Sequence, residues 1–332
     1  TTLFRSQEYC SPAEACFRQH PQDYLDGLRH VIGEVVAARP DAAPHIRAVS
    51  VDTTASTPCL VDRTCTPLAL RPEYADDPDA MFVLWKDHTA QRESEEITAL
   101  CARGEINYAR RSGNHYSSEC FWSKVLHLLR GSERLRRDAW AVVELCDWIP
   151  AVLTGCRAME DLRSGLCAAG SKVMWAEEWG GYPPEEFFAG LDPVLLPILL
   201  PILRRLPVRT YGCDTPAGTL SPEWAAKLGL SEQVVIGVGN VDCHSGAVGA
   251  GIGAEEVHRR ADAVESLEDQ GFAELTRQAG ERNMAVARID AKFDPVIYLC
   301  IGCSYFLAVA GGSALVLQDK LTLGELTSFT MY

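Results

Sequence analysis

No G-x-x-x-x-G-K-[ST] phosphate loop occurs anywhere in the 332 residues, which excludes the P-loop class of nucleotide-binding proteins. A dinucleotide fingerprint is missing too. The one glycine run that opens correctly, GVGNVD, has Asp242 where the third glycine of G-x-G-x-x-G would stand. Positive charge is scarce, with 31 Lys and Arg against 45 Asp and Glu. A net charge of -14 argues against binding to nucleic acid or to an anionic membrane surface, both of which select a basic face. The first residues, TTLFRSQEYC, show no basic start followed by an apolar core, so no signal peptide is read there, and without an initial Met they suggest a natural start further upstream. Cysteine is not scarce, at thirteen, but no two CxxC pairs stand at zinc spacing, and no metal site is expected. Cys300 and Cys303 form a CxxC inside an apolar run with no nearby charge to acidify a thiol, so they read as small buried residues of a reducing compartment.

The stretch that carries chemistry is GVGNVDCHSGAVGAG, residues 237–251. Val234, Val235 and Ile236 precede it as a β-branched apolar run, which predicts a buried strand. The glycines allow tight turning and close approach, and one carboxylate, Asp242, follows the strand end. Open α/β sheets place their ligands at the carboxyl ends of strands.

Upstream, Leu25, Leu28, Val31, Ile32 and Val35 recur at helical spacing over 22–38, before Pro40. IRAVSVD, 46–52, predicts a strand running into the small-residue loop TTAST that holds Ala55. Pro58 opens a second strand that turns at RTCT and returns toward LAL as a hairpin. AMFVLW, 80–85, predicts a further strand that delivers Trp85, Lys86, Asp87 and His88 at its end. SSECFWSKVLHLLR, 117–130, has hydroxyl caps and a terminal Arg130, so it reads as a helix with Tyr116 just before it. Asp147 is placed to cap a helix that tolerates Pro150 in its first turn and stops at Gly155. Lys172 follows a run of small residues that leaves its ammonium room to enter a cleft. The two prolines of VLLPILLPIL, 194–203, predict a broken helix on the surface, whereas Ser221, Pro222 and Gly229 bracket a helix.

VDTTASTP, FVLWKDHTA, YSSECFWSKVLH, LCDWIPAVLTG, CAAGSK, EEWGGYPPEEF, DTPAGTLSPEWAAKLGL and GVGNVDCHSGAVGAG, in this order, resemble the L-ribulokinase branch of the FGGY carbohydrate kinase family over about residues 10–252. The resemblance implies an α/β, ribonuclease-H-like and actin-like ATPase domain, the FGGY N-terminal domain, spanning 1–254 without its first strand and phosphate loop. It implies phosphorylation of L-ribulose, or a related ketose, by MgATP in the cytoplasm. Asp242 matches the family's general base, Ala55 and Lys172 match sugar-contacting positions, and Trp85 and Tyr116 match positions lining the cleft. Ser245, Cys120 and Ser171 stand where the family has Met, Trp and His. With the phosphate loops and second domain absent, the expectation is a chain that binds sugar without turning over ATP.

Beyond residue 254 the composition changes. Residues 255–292 are highly charged and helix-prone, and 296–317 run for twenty-two residues without a charge, enough for a membrane helix. Arg277, Arg282, Arg288 and Lys292 precede the run as a cytoplasmic approach would. The stretch NMAVARID to TSFTMY, which includes the transmembrane-like fragment 293–332, resembles part of the membrane region of an ABC-type exporter. Two families meeting near 255 imply a fusion of fragments. The alternative function is accordingly a membrane-associated exporter fragment joined to a passive sugar-binding module.

Overall fold

A computed structural model of the chain describes residues 9–249. The chain divides into two compact units, Thr1–Ser245 and Gly246–Tyr332, and the architecture below is that of the first. The charged segment 255–292, the apolar run 296–317 with Cys300 and Cys303, and the exporter-like stretch lie outside the described residues. Among the described residues, no helix is long and apolar enough to cross a membrane.

The fold is α/β. β1 (Cys10–Ser11) and β2 (Cys16–Gln19) are antiparallel, and β2 continues onto β6 (Phe82–Val83). α1 (Pro21–Ala38) follows at the predicted position, with the His20 ring accepting from the Gln22 amide at its start. Its apolar stripe is split. Leu25, Leu28 and Ile32 pack on the core, whereas Val31 and Val35 are 60% and 59% exposed.

The single strand expected over 46–52 is two short ones, β3 (Ala48–Val49) and β4 (Asp52–Thr53). β3 pairs in parallel with β11 (Val235–Gly237), which pairs antiparallel with β10 (Pro216–Thr219). β4 pairs in parallel with β12 (Asn240–Val241). The hairpin expected after Pro58 closes through one bridge, Val61 to Pro67, and LAL becomes a 3-10 turn. Proline offers no amide proton to prolong a ladder. β5 (Pro58–Val61) instead takes β7 (Ala141–Glu144) as its antiparallel partner over four residue pairs.

β5 and β7 are buried throughout, and their alternating side chains feed two cores. Leu60 and Val142 join a core with α2 (Gln91–Arg103), α3 (Phe121–Gly131), α4 (Glu133–Asp138), α7 (Glu185–Leu191) and α8 (Leu196–Arg205). Cys59, Val61, Ala141 and Val143 join the other with α1, α5 (Leu145–Thr154) and α9 (Pro222–Leu228). This is the period-two division of a strand covered on both faces.

α8 corrects the prediction of a broken helix. Pro197 falls in its first turn, where an amide proton has no helical partner, and Pro201 is carried inside because Leu199 and Ile202 are buried in the core. α9 matches expectation, with the Ser221 side chain accepting from the Trp224 amide and Gly229 in the left-handed conformation. β8 (Ser164–Gly165) pairs in parallel with β9 (Thr210–Tyr211) and leads into α6 (Leu166–Lys172). The glycine stretch itself is β11, a short connection, β12 and then α10 (Asp242–Gly249).

Candidate active site

Asn240 faces Asp52 and Val241 faces Thr53 across the parallel pair, so Asp242 and the TTAST loop leave the sheet at adjacent strand ends. Asp242 is exposed, opens α10, and its Oδ1 accepts from the Cys243 amide at 2.7 Å. A negative charge there complements the amide-rich start of the helix. Ala55 packs onto a small buried cluster of Cys146, Ala168 and Val241. Ala168 belongs to α6, and Lys172 lies four residues further along, so it continues from the helix face that touches Val241 and Ala55. Ala55 therefore packs on a cluster whose Val241 immediately precedes Asp242 and whose Ala168 stands one helical turn before Lys172. Asn240 Oδ1 and His244 Nδ1, on either side of Asp242, are buried without a hydrogen-bond partner among the described residues.

The strand that leads into Asp242 reaches its position through a close backbone crossing. A Cβ on Gly239 would collide with the Cys146 carbonyl, and one on Gly165 would collide with the Gly239 carbonyl. Only glycine permits three backbones to approach in this way. Asp147 secures the crossing. It does not cap α5 as expected: Glu144 holds that position, and Asp147 lies wholly buried in the first turn. Its Oδ1 accepts from the Gly165 amide at 2.8 Å and its Oδ2 from the Ser164 hydroxyl at 2.7 Å. Burial pushes this carboxyl from its ordinary 3.8 up to about 6 against those donors.

The Ala55 loop is fixed by a buried pair that sequence reasoning missed. Lys124 Nζ donates to the carbonyls of Ser56 at 2.6 Å and Leu84 at 2.8 Å. Glu144 accepts from the Ser56 hydroxyl at 3.1 Å and the Thr57 amide at 2.8 Å. Burial pulls Lys124 down to about 8 and pushes Glu144 up to about 7, so desolvation outweighs their mutual attraction. The available signal was a lysine on the same helical face as Phe121, Val125 and Leu128.

The neighbours at 85–88 divide between roles. Trp85 is 45% exposed and lines a cavity of about 480 Å³ with Thr53, Thr54 and Lys86. Asp87 is structural: it is fully buried, pairs with Arg18 and accepts from the Phe17 amide at 2.7 Å. Tyr116, expected to line the cleft, is completely buried and donates its hydroxyl to the Lys172 carbonyl. It tethers the end of α6, because a phenol surrounded by core must satisfy its hydroxyl internally. Among the described residues, no cluster of His, Cys, Asp or Glu is arranged to hold a metal.

No family model matches the chain. It is 45% identical over 251 residues to a ribulokinase of Vibrio parahaemolyticus, covering 75% of this chain and 44% of that protein. Against a ribulokinase of Shouchella clausii it is 36% identical over 234 residues, 70% of this chain and 40% of the other. The structure superposes on a xylulose kinase from Rhodospirillum rubrum with a TM-score of 0.53 at 18% identity, over 74% of this chain and 44% of that one. The fold is therefore one found in sugar kinases. Over the matched residues the chain is a homologue of ribulokinases, and it spans less than half the length of these relatives.

Proposed function

We propose that residues 9–249 form the sugar-binding half of an ATP-dependent pentulose kinase, with L-ribulose or a closely related ketose as acceptor. What supports this reading is that Ala55 packs on the cluster of Cys146, Ala168 and Val241, with Asp242 next in the chain after Val241 and Lys172 one helical turn beyond Ala168. Asp242 accepts the proton of the attacking 5-hydroxyl while that oxygen bonds to the γ-phosphorus of ATP and the bond to the ADP oxygen breaks. Phosphoryl transfer needs positioning and charge neutralisation more than covalent help, so a single exposed carboxylate suffices as base. Lys172 donates to sugar oxygens, and Ala55 leaves space beside them. The magnesium of MgATP supplies charge neutralisation at the phosphates. In this reading these residues serve the acceptor side of the reaction.

Calorimetry on the chain with L-ribulose, and separately with MgATP, tests this. Sugar binding is expected, weakened about tenfold or more in Asp242→Asn through loss of a charged hydrogen bond. The absence of heat at millimolar ribulose, or equal affinity in the variant, would overturn the assignment.

A further inference from the structure

Cys65 and Cys156 are far apart in the chain and together in the fold. Cys65 sits in the turn after β5 at φ 58°, a left-handed conformation that favours glycine, and is 4% exposed. Asp62 fixes that turn, its Oδ1 accepting from the amides of Thr64 at 2.8 Å and Thr66 at 3.1 Å. Cys156 follows Gly155 at the end of α5, held by its amide to the Ala151 carbonyl at 2.8 Å, and its Sγ lies 3.2 Å from the Ala158 carbonyl. Both thiols line one surface cavity of about 160 Å³, with Thr66, Trp148, Arg157 and Trp224. Both cysteines are free thiols on that shared cavity wall.

We propose that Cys65 and Cys156 form a dithiol modification site that reacts with low-molecular-weight disulfides of the glutathione class. Cys156 is the attacking group, since it is the more exposed of the two and opens onto the cavity. Its thiolate attacks one sulfur of the small disulfide, forming a mixed disulfide and expelling one thiolate. Cys65 then loses its proton and attacks the Cys156 sulfur, expelling the second small thiol. Two protein thiols are oxidised to one disulfide and one small disulfide is reduced to two thiols. The acidities fit these roles: the interaction with Cys65 lowers Cys156 to about 7 and raises Cys65. The bond would close a loop of about 90 residues between the β5 turn and the end of α5, long enough for a large entropic effect on the unfolded chain.

The test is peptide mapping of the full chain after incubation with oxidised glutathione at pH 8 and alkylation of the remaining thiols. The expected product is a cross-linked peptide joining Cys65 and Cys156, with little glutathione left on Cys156, and a raised unfolding temperature that falls back on reduction. In Cys65→Ser the resolving thiol is gone, so glutathione should accumulate on Cys156 at least about tenfold above wild type. The exposed Cys213 and Cys243 serve as internal references for a simple accessible thiol. Glutathione retained on Cys156 in the wild type without the cross-link, or a Cys156 that stays free while the references react, would overturn the proposal.

Discussion

Asp147→Asn separates the charge of this residue from its hydrogen bonds. Asparagine keeps an acceptor for the Gly165 amide, and its amide group can donate to the Ser164 hydroxyl oxygen in place of the bond that Ser164 now donates. The wild-type carboxyl rises from 3.8 to about 6 on folding, so the folded state holds its proton more tightly than the unfolded chain. Its stabilisation is fully present below pH 3.8 and is lost as the pH rises through 6, about 3 kcal/mol in total. Between pH 4.5 and 7 the loss is about 2 kcal/mol, and the asparagine variant has no such slope. All tryptophans lie in the first unit, between Trp85 and Trp224, so their fluorescence in urea reports the unfolding of that unit alone. The expected result is a variant that gains about 2 kcal/mol on wild type across this pH range. Parallel pH profiles would refute the claim that desolvation governs Asp147, and with it the picture of a buried anion securing the strand that presents Asp242.

Gly239→Ala should cost more than about 3 kcal/mol or abolish soluble expression, because the new methyl meets backbone. Gly33→Ala, in α1 with nothing within 4 Å, should stabilise by up to about 1 kcal/mol and serves as the control in the same urea assay. Lys124→Met should cost about 3 to 5 kcal/mol at pH 8, where it leaves the Glu144 carboxylate buried without a counter-charge. The cost should shrink near pH 5, since a carboxyl raised to about 7 is protonated there in the folded state, and an equal loss at both values would count against the pairing.

Much of the local structure follows from short-range chemistry and was legible in the letters. The stop signal of α1, the bracketing residues of α9, the apolar runs at 58–61 and 234–236, and an acid after a strand all depend on neighbours within a few residues. The order of motifs pointed to the sugar-kinase fold that the structural superposition shows. What was not legible depends on contacts between distant segments. Whether Pro201 breaks its helix was decided by the packing of Leu199 and Ile202, and whether Tyr116 faces a cleft was decided by the core that closes over it. Lys124 and Glu144 look like ordinary helix and strand residues until β5 meets β7 and buries them together. The thirteen cysteines read as scattered, yet folding brings Cys65 and Cys156 to the lining of one cavity. Sequence alone determined which residue types stand at the strand ends, because glycine, acid and hydroxyl patterns are local. Tertiary structure alone decided which charges are desolvated, because burial is a property of what packs around a side chain.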